Sequence, residues 1–195
     1  MITTSSLTDQ FDHLFAVIRS PGFLRKEALG GEIGFFIHAY EPVQQAEVEQ
    51  ATARLINRLK QQGVLVVEIN LYTICIDLLT EQNRLDQIIE RESSMPKEKL
   101  LRAMQSSLSV EGRLVPAIEA RLAQTPHQVV FLTGVGQVFP FIRSHTVLNN
   151  LQRVITQPPL VIFFPGQYNG RSLELFGLLH DDNYYRAFNL ANLHS

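Results

Sequence analysis

The residues with the most chemistry to offer gather late in the chain. Tyr168, Asn169 and Arg171 stand close together, Tyr184, Tyr185 and Arg186 follow as one run, and Asn189 lies just beyond. A guanidinium pairs a carboxylate bidentately, and a tyrosine ring supplies large contact area at small entropic cost. Arginine beside aromatic rings is the composition of protein interface hot spots, and it also serves single-stranded nucleic acid. Surface loops rarely spend so many large aromatic and amide side chains without a use. Two readings stay open: the rings close one end of the core, or Tyr168, Asn169, Arg171, Tyr184, Tyr185 and Arg186 form a partner-binding surface. Burial separates them, because structural rings lie inside. With 17 Lys and Arg against 19 Asp and Glu, no bulk charge drives the chain toward DNA or anionic lipid, which favours a protein partner.

Other chemistry is weaker on inspection. His180-Asp181-Asp182, with Glu174 nearby, has the residue types of a cation site, which makes a metal-dependent enzyme with carboxylates near Asp181 one alternative. A polar turn explains the same residues, and the flanks carry no nuclease motif. The six histidines are not paired at metal spacing, and the single cysteine adds no ligand cluster, so no metal or other cofactor is expected. Cys75 sits in Leu71-Tyr-Thr-Ile-Cys-Ile, an apolar setting that predicts a buried, inert thiol. No Gly-x-Ser-x-Gly elbow occurs.

The apolar periodicity supplies the frame. Leu7, Phe11, Leu14, Phe15 and Ile18 predict a first helix, capped by Ser6 or Thr8 and ended by Ser20-Pro21-Gly22. Its apolar face packs on the domain or docks on a partner. A strand over Phe35–Ala39, a helix from about Val43 to Gln62 and a strand over Val64–Ile69 make a βαβ unit, with Val48, Ala51, Leu55 and Leu59 inward and Gly63 as the stop. Helical patterns fill a stretch from about 72 to 124, broken at Pro96 and weakly at Ser109–Gly112. A strand follows over Val129–Leu132, then a Gly-rich turn, a short ambiguous stretch over Val138–Ile142, a helix over Thr146–Ile155 and a fourth strand over Leu160–Phe164, closed by Pro165-Gly166. Leu173–Gly177 or Arg186–Leu190 adds a fifth at an edge.

This alternation predicts an α/β fold: a parallel sheet of four to five strands, helices on both faces, a helical insertion, and one domain over residues 1–195. Ligands of such sheets bind beyond the carboxyl ends of the strands, here Ala39–Pro42, Asn70–Thr73, Thr133–Gln137 and Pro165–Tyr168. The order also invites comparison with a degenerate P-loop NTPase, and hence a nucleotide- or nucleic-acid-binding module as a second alternative. A working P-loop needs Gly-x-x-x-x-Gly-Lys-Ser/Thr, and no glycine here precedes a lysine. After the first strand stands His38-Ala39-Tyr40-Glu41-Pro42, where Glu41 repels phosphate and Pro42 lacks an N–H. Thr133-Gly134-Val135-Gly136 has two glycines of a dinucleotide fingerprint, but Phe139 occupies the third place, so a tight turn is expected. The N-terminus shows no basic-then-apolar leader and no apolar run approaches the roughly 20 residues of a membrane helix, so a soluble cytoplasmic protein without a membrane role is expected.

Three segments carry a resemblance. Pro165-Gly166-x-Tyr168, Leu175-Phe176-Gly177 and Tyr184-Tyr185-Arg186-Ala187-Phe188-Asn189-Leu190 resemble the C-terminal signature of the BrxB family, from the BREX (bacteriophage exclusion) defence systems. Gly34-Phe35-Phe36-Ile37 and Phe131-Leu132-Thr133-Gly134-Val135-Gly136 extend the likeness more loosely along nearly the whole chain. The resemblance implies a component of a bacterial antiphage system, in which ATPase, methyltransferase and phosphatase-like activities sit on larger proteins. It implies a non-enzymatic adaptor that binds those proteins and meets DNA only through them, and it leaves the oligomeric state open.

The missing glycine loop and lysine give a direct expectation. Purified protein should release no phosphate from ATP or GTP above a buffer control, and turnover abolished by removing one basic residue would overturn this.

Overall fold

In the computed structural model the described residues are 6–26, 34–181 and 185–193. Their strands are β1 (Phe35–Tyr40), β2 (Val66–Asn70), β3 (Val129–Thr133), β4 (Leu160–Tyr168), β5 (Leu173–Leu175), β6 (Leu179–Asp181) and β7 (Phe188–Asn189). β2, β3, β4, β1 and β7 lie side by side in that order, all parallel. β5 and β6 add an antiparallel pair to the outer end of β4. Both candidates for a fifth strand therefore form, at different places. The βαβ unit has its expected parallel sense, yet β1 and β2 are not neighbours, because β4 and β3 lie between them.

One face of the sheet is covered by α1 (Leu7–Ile18), α2 (Pro21–Leu24) and α3 (Gln45–Gln61). The other carries α4 (Leu71–Glu81), α5 (Leu85–Glu92), α6 (Lys97–Ser107), α7 (Val115–Gln124) and α8 (Ser144–Val154). Two cores result. Val161 and Phe163 of β4 join Phe36, Phe131, Phe11 and Leu55 on the first face, while Ile162 and Phe164 join Ile37, Leu132, Ile118 and Leu148 on the second. Successive strand residues point to opposite faces, and both faces are dry, which is why β3 and β4 read as unbroken apolar runs rather than alternating ones.

The local signals explain most boundaries. Ser6 caps α1: its Oγ accepts from Asp9 N–H at 3.1 Å, and the Asp9 carboxylate accepts from Ser6 N–H at 3.2 Å. Phe11, Leu14, Val17 and Ile18 are buried in the first core, so the apolar face of α1 packs on its own domain. Pro42 opens a 3₁₀ turn, Pro42–Gln44, ahead of α3, which buries Val48, Ala51, Leu55 and Leu59 as the pattern predicts. The break at Ser109 becomes one π turn, Val110–Leu114, between α6 and α7, with Ser109 Oγ accepting from Gly112 N–H. Val138–Ile142 folds as turns.

One boundary departs from expectation. β4 runs through Pro165-Gly166 to Tyr168 instead of ending there. Val130 N–H donates to the Pro159 carbonyl, so odd-numbered backbone of β4 faces β3. The β3–β4 ladder ends at Leu132–Ile162, and Pro165 stands past it, where its missing N–H removes no ladder bond. β5 takes over that side: Phe176 N–H donates to the Pro165 carbonyl at 2.9 Å. A Cβ on Gly166 would stand 2.0 Å from the Glu174 carbonyl oxygen, so this position needs glycine for the close approach of β5.

Phe163 is packed among Phe11, His38 and Phe131, with ring centroids 5.2–6.2 Å away. Phe163→Ala should cost about 3–5 kcal/mol in chemical denaturation, through the cavity left between α1 and the central strand. An unchanged denaturation midpoint would show that β4 is not central to stability.

Candidate functional site

The extension of β4 organises the residues singled out from sequence. Tyr168 and Tyr185 are both buried, 8% and 2% exposed, and belong to the second core. The Tyr168 hydroxyl donates to the Ala187 carbonyl at 2.7 Å and lies 3.3 Å from the Tyr185 carbonyl. Tyr185 N–H donates to the Arg171 carbonyl at 2.9 Å. These two rings close the core and lash the C-terminal segment to the β4–β5 turn. Asn169 is exposed, but its side chain is spent on the turn: Oδ1 accepts from Arg171 and Ser172 N–H at 2.9 and 2.8 Å, and Nδ2 donates to Ser172 Oγ. Tyr184 and Asp182 lie outside the described residues, as do the side chains of His180 and Asp181. Of the candidate surface residues that are described, Arg171 and Arg186 are the ones whose side chains reach solvent without a turn to hold. Sequence reasoning did not single out Leu178 and Leu179, at the β5–β6 turn, which are 82% and 40% exposed.

The carboxyl ends of the strands form a closed polar network rather than an open phosphate cradle. The Tyr40 hydroxyl donates to Gln45 Oε1 at 2.5 Å, Gln45 Nε2 donates to Glu49 Oε1 at 2.7 Å, and Gln137 Nε2 reaches the same oxygen at 3.2 Å. Burial and the Glu49 charge push the Tyr40 phenol well above its usual range. Asn70 Oδ1 caps α4 at Thr73 N–H, and Thr133 Oγ1 donates to Glu68 across β2 and β3. Gly134 takes φ +74° in the turn after β3, the positive φ expected there. A Cβ on Gly136 would meet Pro165 and Phe176 at 2.7 and 2.9 Å, so the β5–β6 unit sits tightly over the end of β3. Among the described residues no three His, Cys, Asp or Glu side chains gather as metal ligands. Cys75 is buried, and desolvation pushes its thiol up to about 12.

His38 is a second feature that sequence reasoning passed over, counting it only among the unpaired histidines. The signal was a polar residue at a core-facing position inside Phe35-Phe36-Ile37-His38-Ala39-Tyr40. His38 is 4% exposed, packed against the rings of Phe11 and Phe163, and its Nε2 is buried without a hydrogen-bond partner. Burial first, and His13 second, lower its pKa from 6.5 to about 4.

Three comparisons bear on this chain. The family described as "BREX protein BrxB" matches residues 67–190, from β2 to the end of β7. A protein described as BREX protein BrxB from Bacillus cereus (strain H3081.97) is 39% identical over 190 residues, which covers 95% of this chain and 98% of that one. Another of the same description, from Escherichia coli O9:H4 (strain HS), is 29% identical over 174 residues, covering 89% and 86%. No solved structure matches the chain.

The depressed pKa of His38 gives a signed prediction. The folded state holds His38 neutral where the unfolded chain would take a proton, so this contribution is complete above about pH 6.5 and is lost as pH falls toward 4. Stability should drop by on the order of 3 kcal/mol across that window from this group. Denaturant titrations of wild type and His38→Phe should show the drop shrinking in the variant; parallel pH curves would sink the assignment.

Proposed function

The chain belongs to the BrxB family of BREX proteins, and from that premise we propose that it is a non-enzymatic adaptor that binds other BREX proteins, the ATPase and phosphatase-like components first among them. Membership carries a role in BREX antiphage defence. The adaptor reading rests on one observation: the β5–β6 unit presents Leu178 and Leu179 to solvent on the same hairpin assembly that carries exposed Arg171 and Arg186. Leu178 buries little within the domain, and its exposed surface and that of Leu179 gain from a partner that covers them. At the opposite end of β5, the Arg171 guanidinium adds bidentate pairing with a partner carboxylate. The unit is also preorganised. The Tyr168 hydroxyl, the Tyr185 N–H and the Asn169 turn fix its backbone, so binding costs little ordering entropy. The buried tyrosines then act as the frame of the surface, and the arginines and leucines as its contact groups.

Leu178→Asp and Arg171→Ala remove contact groups without touching the frame. Both variants should melt within about 0.5 kcal/mol of wild type, as surface substitutions do. Capture of the other operon products by tagged protein, and restriction of phage in cells, should fall sharply. Undiminished capture and restriction in both would move the docking surface elsewhere, and early melting of both would make the hairpin a lid on the core.

A further inference from the structure

β2 ends the sheet: it pairs β3 on one side, and among the described residues no strand lies on its other side. The Leu65 carbonyl accepts from Gln128 and Val129 N–H at 2.8 and 3.2 Å, so odd-numbered backbone of β2 faces β3. Even-numbered backbone therefore points out of the sheet. This turns outward the N–H and carbonyl of Val66 and Glu68 and the N–H of Asn70, and none of these has a backbone partner among the described residues. Such a row of unpaired groups is a template on which a further strand adds.

Natural edges are commonly blunted by proline, lysine, a bulge or a covering segment. β2, Val-Val-Glu-Ile-Asn, has neither proline nor lysine, and its register with β3 runs unbroken from Val66–Val129 to Asn70–Thr133. Apolar side chains stand exposed at both of its ends: Leu65 is 42% exposed and Tyr72, just past the strand, 48%.

Glu68, at the centre of the strand, decides which occupant fits. Its side chain is exposed, Oε1 accepts from Thr133 Oγ1 at 2.7 Å, and it makes no ion pair among the described residues. Val67 and Ile69 point into the second core, so Glu68 projects on the opposite face, beside any strand that adds at the edge. This disfavours a second copy of the chain. Antiparallel pairing of two β2 edges, Val66 with Asn70, sets the two Glu68 carboxylates against each other, and like charges directly opposite destabilise a sheet. A lysine or arginine at that position makes a favourable cross-strand pair instead.

We propose that the outer edge of β2 docks an extended segment of a partner protein, which adds as a strand and places a lysine or arginine opposite Glu68. Backbone bonds supply the affinity and the Glu68 carboxylate the selection. The edge lies two strands from β4, whose extension carries the β5–β6 unit, so this is a second surface and its test does not depend on the first.

The full chain, labelled with nitrogen-15, is titrated with a capped Thr-Val-Lys-Val-Thr peptide and with a twin carrying Glu in place of Lys. The lysine peptide should shift the amide signals of Val66, Glu68 and Asn70, and the glutamate twin should bind about tenfold more weakly. Val66→Pro removes an outward N–H and no bond of the β2–β3 ladder, and it should abolish the shifts. Glu68→Lys should reverse the preference between the peptides, and that result decides alone should Val66→Pro fail to fold. Absence of shifts at millimolar peptide would overturn the proposal, as would shifts confined to other elements or equal affinity for the two peptides. A dimer in sedimentation that Val66→Pro dissolves would overturn it too, because the occupant would then be a second copy.

Discussion

The pairing of β1 with β4 is the constraint on which the remaining structure depends. The two strands run in register from Phe35–Leu160 to Tyr40–Pro165, and β4 takes β3 on its other side. β4 thereby joins the two halves of the sheet, β3 with β2 and β1 with β7. Each strand presents one set of side chains to α1–α3 and the other to α4–α8, so the pair fixes both cores at once. A slip of one residue would exchange the faces of a strand, moving Phe163 away from the Phe11 and Phe131 rings. The pairing is long-range, because the helical insertion and two further strands intervene in sequence between its members.

The same strand then leaves the sheet and builds the surface. Past the end of β3, β4 trades a parallel neighbour for an antiparallel one, β5, and Gly166 lets the new strand approach. This lays Phe176 beside Gly136 and closes the ground above β3, which in an open α/β sheet is where ligands are usually received. What the chain gains instead is a short rigid hairpin with leucines at its turn. Tyr168 ties that hairpin to the final segment through the Ala187 carbonyl, so hairpin, edge strand β7 and core closure form one mechanical unit.

His38 shows the opposite tendency, a polar group kept where packing alone would choose a phenylalanine. Its neighbours on the same face of β1, Phe36 and Tyr40, follow the apolar rule, and Tyr40 satisfies its hydroxyl with Gln45. His38 satisfies nothing with Nε2. Unsatisfied buried atoms of this kind are uncommon in native folds.

How much of this was legible depended on how local each cause is. The apolar runs of β3 and β4, the helical rails of α1 and α3, the Ser6 cap and the place of Pro42 were readable because period, capping and proline geometry act within a few residues. The parallel α/β class followed from their alternation, and the family likeness from residue types at fixed offsets. Strand order was not readable, since apolar strands carry no label for their neighbours; only packing put β4 between β1 and β3. The continuation of β4 through Pro165-Gly166 was hidden for the same reason: proline ends a strand where its N–H is needed, and only the tertiary fold shows that β3 has already stopped there. Sequence could name Tyr168 and Tyr185 as notable but could not say which way they face. Their burial, the exposure of Arg171 and Leu178, and the orphaned nitrogen of His38 are decided by which chain segments meet in space, and that is set by long-range contacts.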